Sequence, residues 1–203
     1  MSDAAGKDLT EEARARGLLA GGRAVVVMLS GGRDSVCLLD LAARIAGPGR
    51  VSALHVNYGL RDGAGEDEVL CAQVCDRLGV PVEVVKAGPV PATGNLQAWA
   101  REVRYSAARR LAGSGDIAAG HTATDQVETI LYRLAAAPSR RALLGMLARD
   151  GQLIRPLLSF TREQTAAHCR ARGLPWREDP SNESDRFARG RVRHELVAAL
   201  RRV

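Results

Sequence analysis

The sequence predicts an α/β protein with a doubly wound, mostly parallel sheet and a small carboxyl-terminal hairpin and helical appendage. Short apolar runs alternate with longer segments of helical periodicity, and consecutive parallel strands need such crossover segments. The run AVVVML (24–29) is continuously apolar rather than alternating, which is typical of a strand buried on both faces. A length of 203 residues suits one substantial domain with a small addition.

Strands and helices are predicted to alternate through the first two thirds of the chain. The predicted strands are 24–29, 51–56, 82–85 and 116–120. The predicted helices lie near 34–46, 65–79, 95–113 and 124–136. We expect residues 1–22 to form a helical extension, 23–140 the main domain, and 141–203 a hairpin and basic helical segment that completes it.

Three local signals organise the last third of the chain. The Asp150-Gly151 pair separates two apolar segments, which indicates a hairpin. Thr161 and Gln164 have the spacing of a capping box, and Gly173 marks the end of the helix that follows. In the tail, helical periodicity places four apolar residues on one face, and arginines lie elsewhere: Val192, Leu196, Leu200 and Val203.

Composition limits the class of protein. The chain is 46% hydrophobic and 26% charged, which excludes wholesale disorder. Its net charge of +6 suits a phosphate-rich partner, although a bias towards arginine also arises from codon composition, so nucleic-acid binding stays open on charge alone. The four cysteines form no CxxC pair and are interpreted as buried thiols. No segment suits a signal peptide or a membrane span, so we expect a cytoplasmic protein without a membrane partner.

The segment SGGRDS (30–35) follows the first predicted strand. Gly31 and Gly32 let backbone amides approach an anion, and the following helix offers its positive amino end. Ser30 and Ser35 can donate hydroxyls, while Asp34 can hold a metal ion. The alternative is a glycine-rich turn that only caps a helix. The segment matches neither the GxxxxGK[ST] loop nor the GxGxxG fingerprint.

Three further stretches lie near the ends of later strands: HVNYGLRDGAGEDE (55–68), GNLQAWAREVRY (94–105) and GHTATDQVETILYRL (120–134). Together with SGGRDS, their order and wording resemble the tRNA(Ile)-lysidine synthetase family, within the PP-loop superfamily of N-type ATP pyrophosphatases. The resemblance extends to IRPLLSFTRE (154–163) and LPWREDPSNESDRFARGRVRHEL (174–196), so it covers roughly residues 23 to 200.

The resemblance implies a fold, an activity and partners. The fold would be that of the adenine nucleotide alpha hydrolases, with a PP-loop ATP-binding domain over 23–140. Members adenylate the C2 oxygen of the wobble cytidine in tRNA(Ile) with a CAU anticodon, and free L-lysine then displaces AMP. ATP as substrate, Mg²⁺, tRNA(Ile) and lysine are therefore the expected ligands, and a homodimer is one expected assembly.

Site residues follow from the residue chemistry and the resemblance together. Asp34 and Asp125 are the expected metal ligands, because magnesium takes few carboxylates beside phosphate oxygens and water. Arg101 and Arg104 lie three apart on one helix and suit phosphate oxygens, although a structural pairing with Glu102 or Asp116 is the alternative for either. The expected catalytic residues are Asp34, Arg101 and Asp125. The expected ATP-binding residues are Ser30, Gly31, Gly32, Arg33, Asp34, Ser35, His55, Asn57, Arg104 and His121. The expected tRNA-binding residues are Arg186, Arg189, Arg191 and Arg193.

The chain departs from the family pattern at several positions. Thr124 stands where an aspartate is usual, Tyr58 where a histidine is common, and Gly190 where an asparagine is usual. The segment AAAPSRR (135–141) replaces a glycine-rich stretch. For His121 a loop-positioning role stays open. Two other functions also stay open: a PP-loop enzyme that thiolates tRNA, which would need a reactive cysteine or a CxxC-held cluster, and a non-catalytic nucleotide-binding or RNA-binding module.

Overall fold

The computed structural model describes residues 9–60, 63–178 and 192–200. The strands there are β1 Val25–Met28, β2 Val51–Asn57, β3 Val82–Lys86, β4 Asp116–Ala118, β5 Arg149–Asp150 and β6 Leu153–Ile154. The helices are α1 Leu9–Ala15, α2 Arg33–Ala46, α3 Ala64–Leu78, α4 Leu96–Ala112, α5 Ala123–Ala136, α6 Arg140–Leu143, α7 Arg162–Ala171 and α8 Ala198–Leu200. A 3₁₀ turn spans Pro48–Arg50, and Val192–Val197 is π-helical. The strands and helices predicted before residue 137 are confirmed.

The strands form one sheet in the order β3-β2-β1-β4-β6-β5. All neighbouring strands run parallel except β5, which pairs antiparallel with β6 at the edge. The chain moves outwards from β1 through β2 to β3 and then returns across β1 to form β4. The order therefore reverses between β1 and β4, which is where doubly wound sheets bind their ligands.

Helices cover both faces of the sheet, and the side chains of β1 show how. Val25 and Val27 belong to a core cluster with buried residues of α2, α3 and α7, whereas Val26 and Met28 belong to a second cluster with α4. Successive side chains of a strand point to opposite faces, so a continuously apolar strand fills both cores. The prediction of a doubly wound, mostly parallel sheet is confirmed.

The predicted hairpin is present and joins the main sheet. Asp150 pairs with Leu153, and Gly151 takes a φ of +60° in the two-residue connection. Because β6 also pairs in parallel with β4, the hairpin extends the main sheet by two strands. Pairing with β4 brings the segment that follows, including α7, back against α2.

The last third of the chain ends in two helical segments. The Thr161–Gln164 capping box that begins α7 is confirmed, and Gly173, just after the helix, has a φ of +61°. The tail is helical over 192–200, where Val192 is buried but Leu196 and Leu200 are exposed. The predicted apolar face of the tail is therefore not buried as one unit, and Val203 lies outside the described residues. Within the described ranges, no helix has the length and apolarity needed to cross a membrane.

Candidate functional site

A cleft of about 310 Å³ opens at the carboxyl ends of β1 and β4. Most of the predicted site residues line it: Ser30, Gly32, Arg33, Asp34, Ser35, Arg104, His121 and Asp125. Four other predicted residues do not: Gly31, His55, Asn57 and Arg101. The cleft thus collects side chains from the loop after β1, from α4 and from the loop and helix after β4.

The loop after β1 is folded around two hydroxyl groups. The Ser35 hydroxyl lies 3.1 Å from that of Ser30, accepts from the Ser30 amide at 3.1 Å and lies 2.8 Å from the Gly32 carbonyl. Gly31 has a φ of +82°, a backbone conformation that residues with a Cβ rarely adopt. No side chain caps α2, so its first-turn amides and the positive end of its dipole are available to an anion.

Gly120 lets the end of β4 approach the start of α2. A Cβ at this position would lie 3.2 Å from the Asp34 carbonyl carbon and 3.2 Å from the Ser35 amide nitrogen. Real Cβ contacts are seldom this short, and the neighbouring atoms are backbone atoms that cannot turn away. Glycine at this position therefore keeps the two walls of the cleft close together.

Asp34 is a largely buried carboxylate with a strong hydrogen bond. Thr165 donates to its Oδ1 at 2.5 Å, and Arg33 Nε lies 3.4 Å from the same oxygen. Burial raises the pKa of Asp34 above its ordinary value, an effect opposed by the Thr165 hydrogen bond and by the charges of Arg33 and Arg162. The negative charge of Asp125 raises this pKa further. The anionic form of Asp34 is therefore under-stabilised, and a nearby cation would favour it.

Asp125 is held at the start of α5. Its Oδ2 accepts from the Thr122 amide at 2.7 Å, the contact that belongs to the capping box of the helix, and also accepts from the Thr122 hydroxyl at 2.8 Å. The pKa of Asp125 lies below its ordinary value. Burial alone would raise it, but the hydrogen bonds from Thr122 and the charge of Arg162 together outweigh burial. Asp125 is thus a fixed anion in the cleft.

Two elements from the last third of the chain also reach the cleft. Arg162, the first residue of α7, lies 3.0 Å from Asp125 Oδ1 and 3.8 Å from Asp34 Oδ2. Arg177 and Glu178 follow α7, and Glu178 accepts from Arg33 at 3.0 Å. Sequence reasoning assigned no role to these three residues, although all of them lie in the quoted motifs IRPLLSFTRE and LPWRED. Tyr105 lines the cleft as well and was also missed, while Tyr58, which the sequence singled out only as a departure from the family pattern, lines it too.

The two predicted arginines of α4 differ in position. Arg104 lines the cleft beside Tyr58, whose hydroxyl donates to the Ala100 carbonyl at 3.0 Å, and its buried Nε has no hydrogen-bond partner. Arg101 is exposed, and its guanidinium lies over the Tyr105 ring at 4.5 Å. The structural pairings considered as alternatives are not seen, because Glu102 pairs with Arg109 and Asp116 with Arg149 and Arg23.

The two predicted residues at the end of β2, His55 and Asn57, do not line the cleft and contact neighbouring segments instead. His55 is buried, and its Nδ1 lies 3.0 Å from the Leu29 carbonyl and 3.3 Å from the Cys71 sulfur. Asn57 donates to Glu68 at 3.0 Å and accepts from the Gly59 amide at 2.9 Å. These contacts brace the strand end and the turn after it.

The cysteines lie in the described part of the chain, and none of them lines the cleft. All four are buried. Burial raises the pKa of Cys71 to about 12 and that of Cys75 to about 11, so both thiols stay protonated at neutral pH. Across residues 9–60, 63–178 and 192–200, no cluster of three or more His, Cys, Asp or Glu is arranged to hold a metal ion.

The side chains of the predicted tRNA-binding arginines fall outside the described part of the structure. Arg186, Arg189 and Arg191 lie outside the described residues, and so does the side chain of Arg193. Their role stays a prediction from the sequence.

Comparison with known sequences shows where these features recur. The PP-loop domain family matches residues 6–200 of the chain. The chain is 42% identical to a tRNA(Ile)-lysidine synthase from Salinispora tropica, 37% to one from Pseudomonas fluorescens and 40% to one from Thermus thermophilus. The alignments cover 87%, 86% and 83% of this chain, but only 56%, 41% and 34% of those proteins. The resemblance predicted from the motifs is confirmed, and the chain spans about half or less of the length of these relatives.

Comparison with solved structures supports the fold. A U34-tRNA thiolase, NcsA from Methanococcus maripaludis, solved with its 4Fe-4S cluster, has a TM-score of 0.76 at 18% identity and covers 96% of this chain and 72% of that one. An NMN synthetase from Francisella tularensis has a TM-score of 0.60 at 14% identity and covers 94% of this chain and 83% of that one. At such low identities the likeness concerns the fold alone.

Proposed function

The chain belongs to the PP-loop domain family, and we propose that it carries the catalytic site of a tRNA(Ile)-lysidine synthase. The reaction would couple ATP cleavage to the ligation of lysine to the wobble cytidine of a CAU anticodon. We assign it to the cytoplasm, where ATP, tRNA and free lysine are all present.

One observation carries this proposal. The glycine-rich loop after β1 and the two carboxylates Asp34 and Asp125 converge on one cleft at the switch point of the sheet. Loop amides and the amino end of α2 suit the phosphates of a nucleotide, and the carboxylates suit a metal that accompanies them. Identities of 37–42% to proteins named tRNA(Ile)-lysidine synthase support the choice among ATP-cleaving reactions.

In the first step the C2 oxygen of the cytidine attacks the α-phosphorus of ATP. A bond forms between that oxygen and phosphorus, the bond to the bridging α–β oxygen breaks, and pyrophosphate leaves. Arg104 is the cation that we assign to the negative charge that grows on the phosphoryl oxygens, because it lines the cleft and, unlike Arg33, Arg162 and Arg177, pairs with no carboxylate of the described residues. Arg101 would contribute indirectly, through the ring of Tyr105.

In the second step the amine of lysine attacks C2 of the cytidine. The carbon–oxygen bond breaks, AMP leaves with the bonding electrons, and the amine loses a proton. Adenylation thus turns a poor leaving oxygen into a good one. Glu178 is the most exposed of the three carboxylates that line the cleft, and we assign it to the ammonium form of the incoming amine.

Magnesium is the expected companion of ATP at this site, and the residues fit it. Asp34 Oδ2 and Asp125 Oδ1 both face Arg162, while the other oxygen of each carboxylate is held by a threonine. Two carboxylate oxygens beside phosphate oxygens and water satisfy the preference of Mg²⁺. When bound, the metal would neutralise charge on the pyrophosphate that leaves.

The basic tail is assigned to the tRNA backbone. Arg186, Arg189, Arg191 and Arg193 crowd a short segment, and phosphate groups bind such arginine clusters without reading the base sequence. The thiolation alternative gains no support, since no cysteine lines the cleft and the Cys71 and Cys75 thiols are not ionised at neutral pH.

The test is a pyrophosphate-release assay in which tRNA and lysine are omitted in turn. We expect release to require tRNA(Ile), and we expect adenylated tRNA to accumulate when only lysine is missing. Asp34→Asn should slow release by about a hundredfold or more, in line with the loss of one electrostatic stabiliser. Asp76→Asn, at an exposed carboxylate of α3, is the matched control and should leave the rate unchanged. Release without tRNA, or normal release by Asp34→Asn, would contradict the proposal.

A further inference from the structure

Arg162 lies where two carboxylates from different elements meet. Its Nη2 is 3.0 Å from Asp125 Oδ1, and its Nε is 3.8 Å from Asp34 Oδ2. The side chain is 23% exposed and lines the cleft, so it is accessible to ligands that enter there. A single guanidinium therefore balances the charge of both predicted metal ligands.

The hydrogen bonds of the two carboxylates divide their oxygens into two kinds. Thr165 donates to Asp34 Oδ1, and Thr122 donates twice to Asp125 Oδ2. Asp34 Oδ1 and Asp125 Oδ2 are therefore each held by a threonine of the protein. The remaining oxygen of each carboxylate is turned towards Arg162. A divalent cation that used both carboxylates would take these same two oxygens, and hence the place of the guanidinium.

The contacts of Arg162 are incomplete for an arginine between two carboxylates. One hydrogen bond reaches Asp125, whereas the Nε that faces Asp34 is buried and has no hydrogen-bond partner. Arginine normally binds a carboxylate through two parallel hydrogen bonds, and a buried donor without an acceptor is costly. A divalent cation that binds the two carboxylates more strongly can therefore replace the guanidinium of Arg162. The guanidinium would then be free beside the glycine-rich loop after β1.

We propose that Arg162 is a displaceable counter-ion, which pairs with Asp34 and Asp125 when no metal is bound and gives up both oxygens when a divalent cation arrives with the nucleotide. The proposal rests on the proposed function for the identity of that nucleotide. A metal ion on these two oxygens would lie close to the guanidinium, which is 3.0 Å from one and 3.8 Å from the other, and the two positive charges would repel, so arginine and metal compete. The displaced guanidinium keeps its donors and its charge, and the phosphates that accompany the metal are its natural new partners.

The competition can be measured without catalysis. Mn²⁺ binding to the full chain, without nucleotide or tRNA, is followed by electron paramagnetic resonance. Arg162→Gln should bind Mn²⁺ about tenfold more tightly than the unaltered chain, because the internal competitor is gone; tenfold corresponds to about 1.4 kcal/mol. Arg162→Lys keeps the charge and should bind like the unaltered chain. Arg109→Gln, at an exposed arginine paired with Glu102, is the matched control and should change nothing.

Two further measurements assign the effect to this site. Adding Asp34→Asn to Arg162→Gln should abolish the gain in Mn²⁺ affinity, because one of the two oxygens is then neutral. Mn²⁺ should also raise the melting temperature of Arg162→Gln more than that of the unaltered chain, which reports on the variant even if it is less stable. Equal or weaker Mn²⁺ binding by Arg162→Gln, or a gain that survives Asp34→Asn, would overturn the proposal. Neither outcome depends on tRNA or lysine, so a failure here is distinct from a failure of the pyrophosphate assay.

Discussion

Replacing Thr165 by valine removes one hydroxyl from the buried side of the candidate site and keeps the shape of the side chain. Thr165 is fully buried, and its hydroxyl lies 2.5 Å from Asp34 Oδ1 and 3.0 Å from the Arg162 carbonyl. A hydroxyl has one proton to donate, and the shorter contact to the charged acceptor is the one that it serves. The valine variant therefore leaves a largely buried carboxylate without its closest donor.

The expected loss follows from the kind of bond. A hydrogen bond to a charged group contributes about 1.5–3 kcal/mol, so Thr165→Val should lower the free energy of unfolding by that amount at neutral pH. For a chain of this length the melting temperature should fall by roughly 3–12 °C. The Arg33 contact with the same oxygen, at 3.4 Å, is too long to compensate.

The loss should depend on pH, with a definite sign. Burial raises the folded-state pKa of Asp34 above its ordinary value of 3.8. The contribution of Asp34 to the free energy of unfolding is therefore fully present below pH 3.8, where the carboxyl group is protonated, and is lost as the pH rises through the folded-state pKa. The Thr165 hydrogen bond is the largest effect that opposes this rise of the pKa. Without it the pKa rises further, so the deficit of the variant should grow as the pH increases from acid to neutral.

Urea unfolding between about pH 4 and pH 7.5 measures this difference, provided that the slope with denaturant stays constant. Thr165→Ser is the matched control, because it keeps the hydroxyl and loses only a buried methyl group, at a cost of about 1 kcal/mol that is independent of pH. The reasoning is refuted if the valine variant is as stable as the serine variant at neutral pH, or if its deficit is the same at both ends of the range.

Two other predictions concern the walls of the cleft. Arg104→Ala should slow single-turnover adenylation by about a hundredfold, and Arg101→Ala by less than about tenfold, because Arg104 lines the cleft while Arg101 is exposed outside it; equal losses would show that position in the cleft does not decide the effect. Gly120→Ala should lower the free energy of unfolding in urea by about 1–3 kcal/mol, because the new Cβ would lie 3.2 Å from backbone atoms of the first turn of α2. The control is Gly49→Ala, where a Cβ meets nothing within 4 Å, and its free energy of unfolding should stay within about 0.5 kcal/mol of the unaltered chain. Similar losses for the two variants would rule out the close approach as the cause.

The sequence alone determines the features of this protein that depend on residues close together in the chain. Alternating apolar runs and helical segments predict the strand and helix boundaries before residue 137, because the period of apolar residues reports directly on the local backbone. The Thr161–Gln164 capping box is likewise a contact over three residues and was found correctly. Asp34 and the serines of the loop could be named for the same reason, since the loop residues that form the site are adjacent in the chain.

The contacts that complete the site were decided by the tertiary structure. Thr165 is 131 residues from Asp34, and Arg162 is 37 from Asp125, so no local pattern relates them. They meet because β6 pairs with β4 and brings α7 against α2, a choice of strand order that the hairpin signal at Asp150 does not contain. Helical spacing likewise puts Arg101 and Arg104 near one face, and both lie over the Tyr105 ring, but only the packing of α4 on the sheet places Arg104 in the cleft and leaves Arg101 outside it.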